Sequence, residues 1–148
     1  MSIEQESKPE LEDVNYLQGQ LEKIHTDVYR NVDKETLTTS LEKATTVEDQ
    51  FFKIALQESL ALIGDSHTNV PGLLNEGHLP ISTVEISGDF YIIGANEEYK
   101  HLIGQKLKGL NQFPIETITE KISLLSSKEN REVFLKDLAW NILSIKWQ

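Results

Sequence analysis

Residues 51–64 read FFKIALQESLALIG and residues 81–93 read ISTVEISGDFYII, and the contrast between them decides the fold class. In the first, Phe51, Ile54, Ala55, Leu62 and Ile63, with Glu58 among them, recur at steps of three and four, which predicts a helix with these residues on one face. Gly64 then suits the left-handed position that closes a helix. In the second, two β-branched and aromatic runs, 81–86 and 90–93, flank Gly88-Asp89, which predicts a hairpin with a two-residue turn. The period shifts from about 3.6 to about 2 after Gly64. A chain that changes period once is expected to be α+β, helices first and a small, mostly antiparallel sheet after them.

Working back toward the N-terminus, Val14, Leu17, Leu21, Ile24 and Val28 form one stripe and predict a first helix of about four or five turns. Asp33 is the expected N-cap of a second helix carrying Leu37, Leu41 and Ala44, and Thr46 with Asp49 that of the third. Residues 1–10 are acidic and too polar to pack, so they are expected to be disordered. Forward from the hairpin, 96–102 reads as a helical turn and 106–110 as a short strand. Asn111-Gln112 reads as a turn into Phe113-Pro114-Ile115, and 116–125 as a helix. Ser127 is the expected cap of a last helix with Val133, Phe134, Leu138 and Ile142 inward and Trp140 and Trp147 packing its end. The expected organisation is a three-helix subdomain over 11–68 and a small α+β lobe with two further helices over 69–148.

The 148 residues are 39% apolar and 26% charged, enough to bury a core. There is no cysteine, which excludes disulfides, thiolate metal sites and cysteine nucleophiles. The net charge of −10 and the lack of an arginine cluster argue against a nucleic-acid partner. The charge is uneven. Residues 1–50 hold five Lys and Arg against twelve Asp and Glu (−7), residues 51–100 two against seven (−5), and residues 101–148 seven against five (+2). Neither an export signal nor a membrane-spanning run is legible, so the chain as written is expected to be cytoplasmic and to bind no membrane; as a fragment of a longer precursor it would be exported.

The usual catalytic vocabulary is missing. His25, His67, His78 and His101 show no metal-ligand spacing, and neither a Gly-x-Ser-x-Gly elbow nor a phosphate-cradling loop occurs, so no metal or cofactor is expected. Glu97 and Glu98 are neighbours whose side chains diverge, a poor arrangement for general acid and base. Ser66 and His67 are adjacent too, and adjacent side chains rarely meet as nucleophile and base.

The run Leu60-Ala-Leu-Ile-Gly-Asp-Ser-His-Thr68 resembles the helix-end Leu-Gly-Asp-Gly-His-Thr of the tail-specific, or C-terminal processing, serine peptidases, with Ser66 in place of a glycine. Further matches follow in order: Leu79-Pro80-Ile81, Gly88-Asp89-Phe90-Tyr91-Ile92, Glu98-Tyr99, Ile103-Gly104 through Leu107, Leu110-Asn111, Pro114-Ile115, and Ser127-Lys128-Glu129-Asn130. Residues 104–118 are similar to the second half of a PDZ-like domain, with Gln112 where a glycine is usual, although no carboxylate-binding loop is legible. The resemblance implies a helical plus PDZ-like N-terminal region whose nucleophile domain lies beyond Gln148. It marks Gly64, Asp65, Ser66, Thr68, Gly104, Asn111, Pro114 and Asn130 as motif residues. In the tricorn-like branch a histidine ahead of the nucleophile domain is the general base, which would be His67 here.

The same residues admit a structural reading, with Gly64 a C-cap, Asp65, Ser66 and Thr68 bonding turn amides, and His67 a packed imidazole. Two functions follow. One is a non-catalytic portion of a peptidase that guides polypeptide substrate or docks on a nucleophile-bearing domain. The other is a free-standing protein-binding or immunity-like module. Neither is expected to show peptidase activity alone.

Overall fold

The computed structural model describes residues 8–73, 78–132 and 134–136. Helix α1 spans Pro9–Ile24, α2 Lys34–Ala44 and α3 Asp49–Ala61; strands β1, Ile81–Ile86, and β2, Asp89–Ala95, form an antiparallel hairpin. A 3-10 turn, Glu97–Leu102, leads to β3, Gly109–Leu110, which pairs antiparallel with β4, Phe113–Pro114, and helix α4 follows over Ile115–Ser123. The α+β class is as expected. Arg131, Glu132 and residues 134–136 are helical, whereas Val133, Leu138, Trp140, Ile142 and Trp147 lie outside the described residues, as do residues 1–7. Among the described residues no helix is long and apolar enough to cross a membrane.

Two cores form. Val14, Val28, Val32, Leu37, Leu41, Leu60 and Ile63 pack together among the helices, and Phe90, Leu107, Ile115, Ile118 and Ile122 pack between the hairpin and α4. Asp33 caps α2 as its sequence predicts, its carboxylate accepting from the Thr36 amide at 2.8 Å. This bond and the Thr36 hydroxyl keep the Asp33 carboxyl below the usual range.

Several expectations need correcting. Helix α1 begins at Pro9, inside the stretch 1–10 expected to be disordered; proline suits a first helical turn, where its missing N–H leaves nothing unpaired. It ends at Ile24, which is 76% exposed, and Val28 reaches the core from the following turn instead. The chain leaves the helix there because His25 is extended and its ring is engaged by Asp27 and Asp65. Thr46 does not cap α3. Its hydroxyl donates to the Lys43 carbonyl at the end of α2, and Glu48 takes the cap position without a side-chain bond.

The face of α3 is also different. Phe52, Leu56, Leu60 and Ile63 turn inward, and Phe51, Ile54 and Leu62 are exposed. The true inner face was masked by polar residues that are buried: Ser59, whose hydroxyl meets that of Ser40 at 2.7 Å, and Gln57. In the hairpin the turn is Ser87-Gly88, one residue earlier than expected, with φ of 54° and 89°. Both central residues are left-handed, as a primed two-residue turn requires. Ile93 is the extra residue of a bulge, since Ser82 pairs with Gly94 and Thr83 with Ile92.

The strand expected over 106–110 is split. Its first part bonds to β2, with Leu107 N donating to the Phe90 carbonyl at 2.7 Å and Lys106 bridging Tyr91, and only Gly109–Leu110 joins β4. The switch falls at Lys108, whose carbonyl accepts from the Ile115 amide and so turns the chain toward α4.

Candidate functional site

The segment that follows α3 is shaped by its first residue. Gly64 has φ of +78°, and a Cβ there would stand 2.6 Å from Nδ2 of Asn31, which donates to the Ile63 carbonyl at 2.9 Å. A side chain at 64 would meet both a left-handed backbone and the amide that satisfies the helix end.

Asp65 organises the turn beyond. Its Oδ1 accepts from the His67 amide at 3.0 Å, its Oδ2 from the Thr68 hydroxyl at 2.7 Å and from His25 Nε2 at 3.2 Å, and its carbonyl from the Thr68 amide. The Thr68 hydroxyl foremost, then the His67 amide and His25, hold the Asp65 carboxyl below the usual carboxylate range. His25 Nδ1 accepts from the Asp27 amide at 3.1 Å, so the proton of the neutral ring sits on Nε2 and is donated to Asp65. Both nitrogens of His25 are thus occupied. This is the pattern of a structural histidine, tying the end of α1 to the turn after α3.

His67 is different. It is exposed, two residues past Asp65, and its ring makes no hydrogen bond among the described residues. The Ser66 amide donates at 3.1 Å to Oε2 of Glu129, a residue of the segment that opens the last helical turn. Ser66, through its side chain foremost and then its amide, holds the Glu129 carboxyl below the usual range, with His67 near enough to add to the effect and Asp65 opposing it. The Ser66 backbone is therefore tied to Glu129, and no hydrogen bond joins its hydroxyl to the His67 ring among the described residues.

The remaining motif residues serve turns. Gly104, at φ of +88°, donates to the Ile92 carbonyl; Asn111, at +53°, lies in the turn between β3 and β4; Pro114 precedes the first residue of α4. The Asn130 carbonyl accepts from the Phe134 amide in the first turn of the terminal helix. The structure thus brings 64–68 together with Glu129, while Gly104, Asn111 and Pro114 shape the turns between the hairpin and α4.

Beside the turn runs a groove of about 510 Å³, with Arg30, Ala61, Leu62, Leu124, Lys128 and Glu129 in its walls. Its two cations stand near the ends of α3 and α4, where carbonyls without helical partners attract positive charge. Sequence reasoning missed three positioning residues: His25, Asn31 and Gln57. Gln57 is buried, and its amide donates to the Leu125 carbonyl at 2.8 Å and accepts from the Val70 amide at 2.7 Å. A polar residue inside a helical stripe was the only signal for it. Among the described residues no three His, Asp or Glu gather as a metal would require. Compared with family models, curated proteins and solved structures, the chain matches none.

Proposed function

We propose that this chain is the non-catalytic N-terminal region of a tail-specific serine peptidase-like protein. In this reading it guides a polypeptide or docks on a nucleophile-bearing domain, to which it offers His67 as a general base. One observation carries the reading. The first and last of the collinear segments, 60–68 and 127–130, are joined by a hydrogen bond from the amide of Ser66, the position where the motif usually has glycine, to Glu129, 63 residues away, with His67 exposed beside them. A base that serves a nucleophile on another domain must project from its own, and a fixed turn limits where the ring can go. The Asp65 and Glu129 bonds supply that fixing.

The test is complementation. The purified chain is mixed with the isolated α/β nucleophile domain of a tail-specific peptidase, and hydrolysis of an unstructured peptide is followed. Turnover that needs both proteins and is lost in His67→Ala supports the reading. Turnover that survives His67→Ala, or none from the mixture, sinks it. The second reading, a free-standing binding module, is favoured by the apolar face that α3 leaves exposed.

A further inference from the structure

Helix α3 has more apolar surface than its core uses. Phe52, Leu56, Leu60 and Ile63 fill the inner face. A second stripe, Phe51 and Ile54 on the helix and Leu62 at its C-cap, repeats at helical steps on another face and is 49%, 37% and 40% exposed, and Val47, two residues before the helix, is 36% exposed. Leu62, at its end, lies in the walls of two hollows. One is the groove of about 510 Å³ toward Leu124 and Lys128, and the other, of about 470 Å³, is bounded by Glu35, Thr36, Thr39 and Lys43 on α2. Both hollows therefore meet the stripe at its Leu62 end, and α3, with 13 residues, is about 20 Å long at 1.5 Å per residue. These dimensions suit one helix laid along it.

Glu58 stands in the middle of this stripe, exposed, with no hydrogen bond or ion pair among the described residues. Lys53, the one cation of α3, lies five residues away, about 140° around the helix, and cannot face the same partner. A second copy of the chain would bring two Glu58 carboxylates into an apolar contact with no cation supplied by the stripe, between molecules that each carry −10. A helix with apolar residues and one Lys or Arg in the same face meets neither difficulty.

We infer that the outer stripe of α3 is a docking surface for an amphipathic helix of another polypeptide that places a basic residue against Glu58. The stripe meets the groove beside the His67 turn only at Leu62, and Glu58 and Phe51 lie outside that groove, so the inference does not rest on the peptidase reading.

The probe is a fluorescein-labelled synthetic amphipathic peptide of about 18 residues, long enough to hold a helix. It carries a leucine stripe interrupted once by Lys, and a twin peptide has Glu in that place. Fluorescence anisotropy with the full chain should show saturable binding of the Lys peptide in the micromolar range and about tenfold weaker binding of the Glu twin. Glu58→Lys should reverse the preference, and Phe51→Ser should weaken both. Both positions are exposed, and a thermal melt of each variant verifies that it folds. Failure of both peptides to saturate, or a Lys preference that survives Glu58→Lys, overturns the inference. Self-association by sedimentation that is lost in Phe51→Ser would assign the stripe to a second copy and overturn it equally.

Discussion

Replacing Gln57 with leucine keeps the volume and the helix propensity of α3 but deletes a side chain that bonds both the segment after α3 and the segment after α4. Gln57 is 7% exposed and Leu125, whose carbonyl receives its amide, is equally buried. A buried carbonyl left without a donor costs about 1–3 kcal/mol. The Val70 amide is half-buried and regains water more easily, so its loss adds about 0.5–1.5 kcal/mol. A total of about 1.5–4.5 kcal/mol corresponds to a fall in melting temperature of about 5–18 °C for a domain of this size. Urea denaturation should show the midpoint lowered with an unchanged slope, since the surface exposed on unfolding is the same. Gln57→Glu separates the hydrogen bonds from packing. A carboxylate still accepts from Val70 but opposes the Leu125 carbonyl, so it should destabilise at neutral pH and recover part of the loss in acid, once the protonated group can donate. Gln57→Leu has no such pH dependence. A leucine variant within about 0.5 kcal/mol of the parent, the range of an ordinary surface change, would refute the assignment of Gln57 as a latch.

Gly64→Ala places a side chain at φ of +78° against Asn31 and should cost about 1–3 kcal/mol, read from the urea midpoint; a neutral result would mean the helix end relaxes freely. Asp65 and Glu129 are both held below their ordinary values of 3.8 and 4.5, so the unfolded chain binds protons first. Their stabilisation is complete above those values and is lost as pH falls through the lowered native ones. Asp65→Asn should flatten the acid limb of a stability profile measured from pH 7 to pH 3, and an unchanged limb would place its origin elsewhere. His25→Ala removes two hydrogen bonds and should destabilise by about 1–3 kcal/mol, whereas His67→Ala should stay within about 0.5 kcal/mol. Equal losses in thermal melts would contradict the different roles given to the two rings.

What was legible in the sequence followed period and turn chemistry. The shift from helical to alternating pattern gave the α+β class, Asp33 gave a cap, and Gly64 gave a helix end. What was not legible depends on bonds between distant segments. A stripe of Phe51, Ile54 and Leu62 satisfies every rule for a buried face, yet α3 buries the neighbouring one because Ser59 meets Ser40 and Gln57 meets Leu125. Counting apolar residues penalises the polar groups that tertiary bonds make admissible, so a helix with two apolar stripes is assigned the wrong one. The hairpin turn moved by one residue for a related reason. Serine enters the left-handed region at a modest cost, and the pairing of Ile86 with Asp89 fixes where the turn must fall.

The candidate site shows the same division at closer range. Gly64, Asp65, Ser66, His67 and Thr68 are contiguous, so their turn could be anticipated from short-range bonding alone. Which histidine is structural could not, because the deciding partners, Asp65 for His25 and Glu129 for Ser66, lie 40 and 63 residues away. The sequence draws the eye to His67, the ring inside the motif, as either packed or catalytic. The structure gives the packed and doubly bonded role to His25 and leaves His67 exposed. His25 is half-buried with both nitrogens bonded, whereas the His67 ring is exposed and makes no hydrogen bond among the described residues. An exposed ring on a turn fixed by the Asp65 and Glu129 carboxylates can be replaced without breaking those bonds, and its proposed service to a nucleophile elsewhere is what the complementation assay puts at risk.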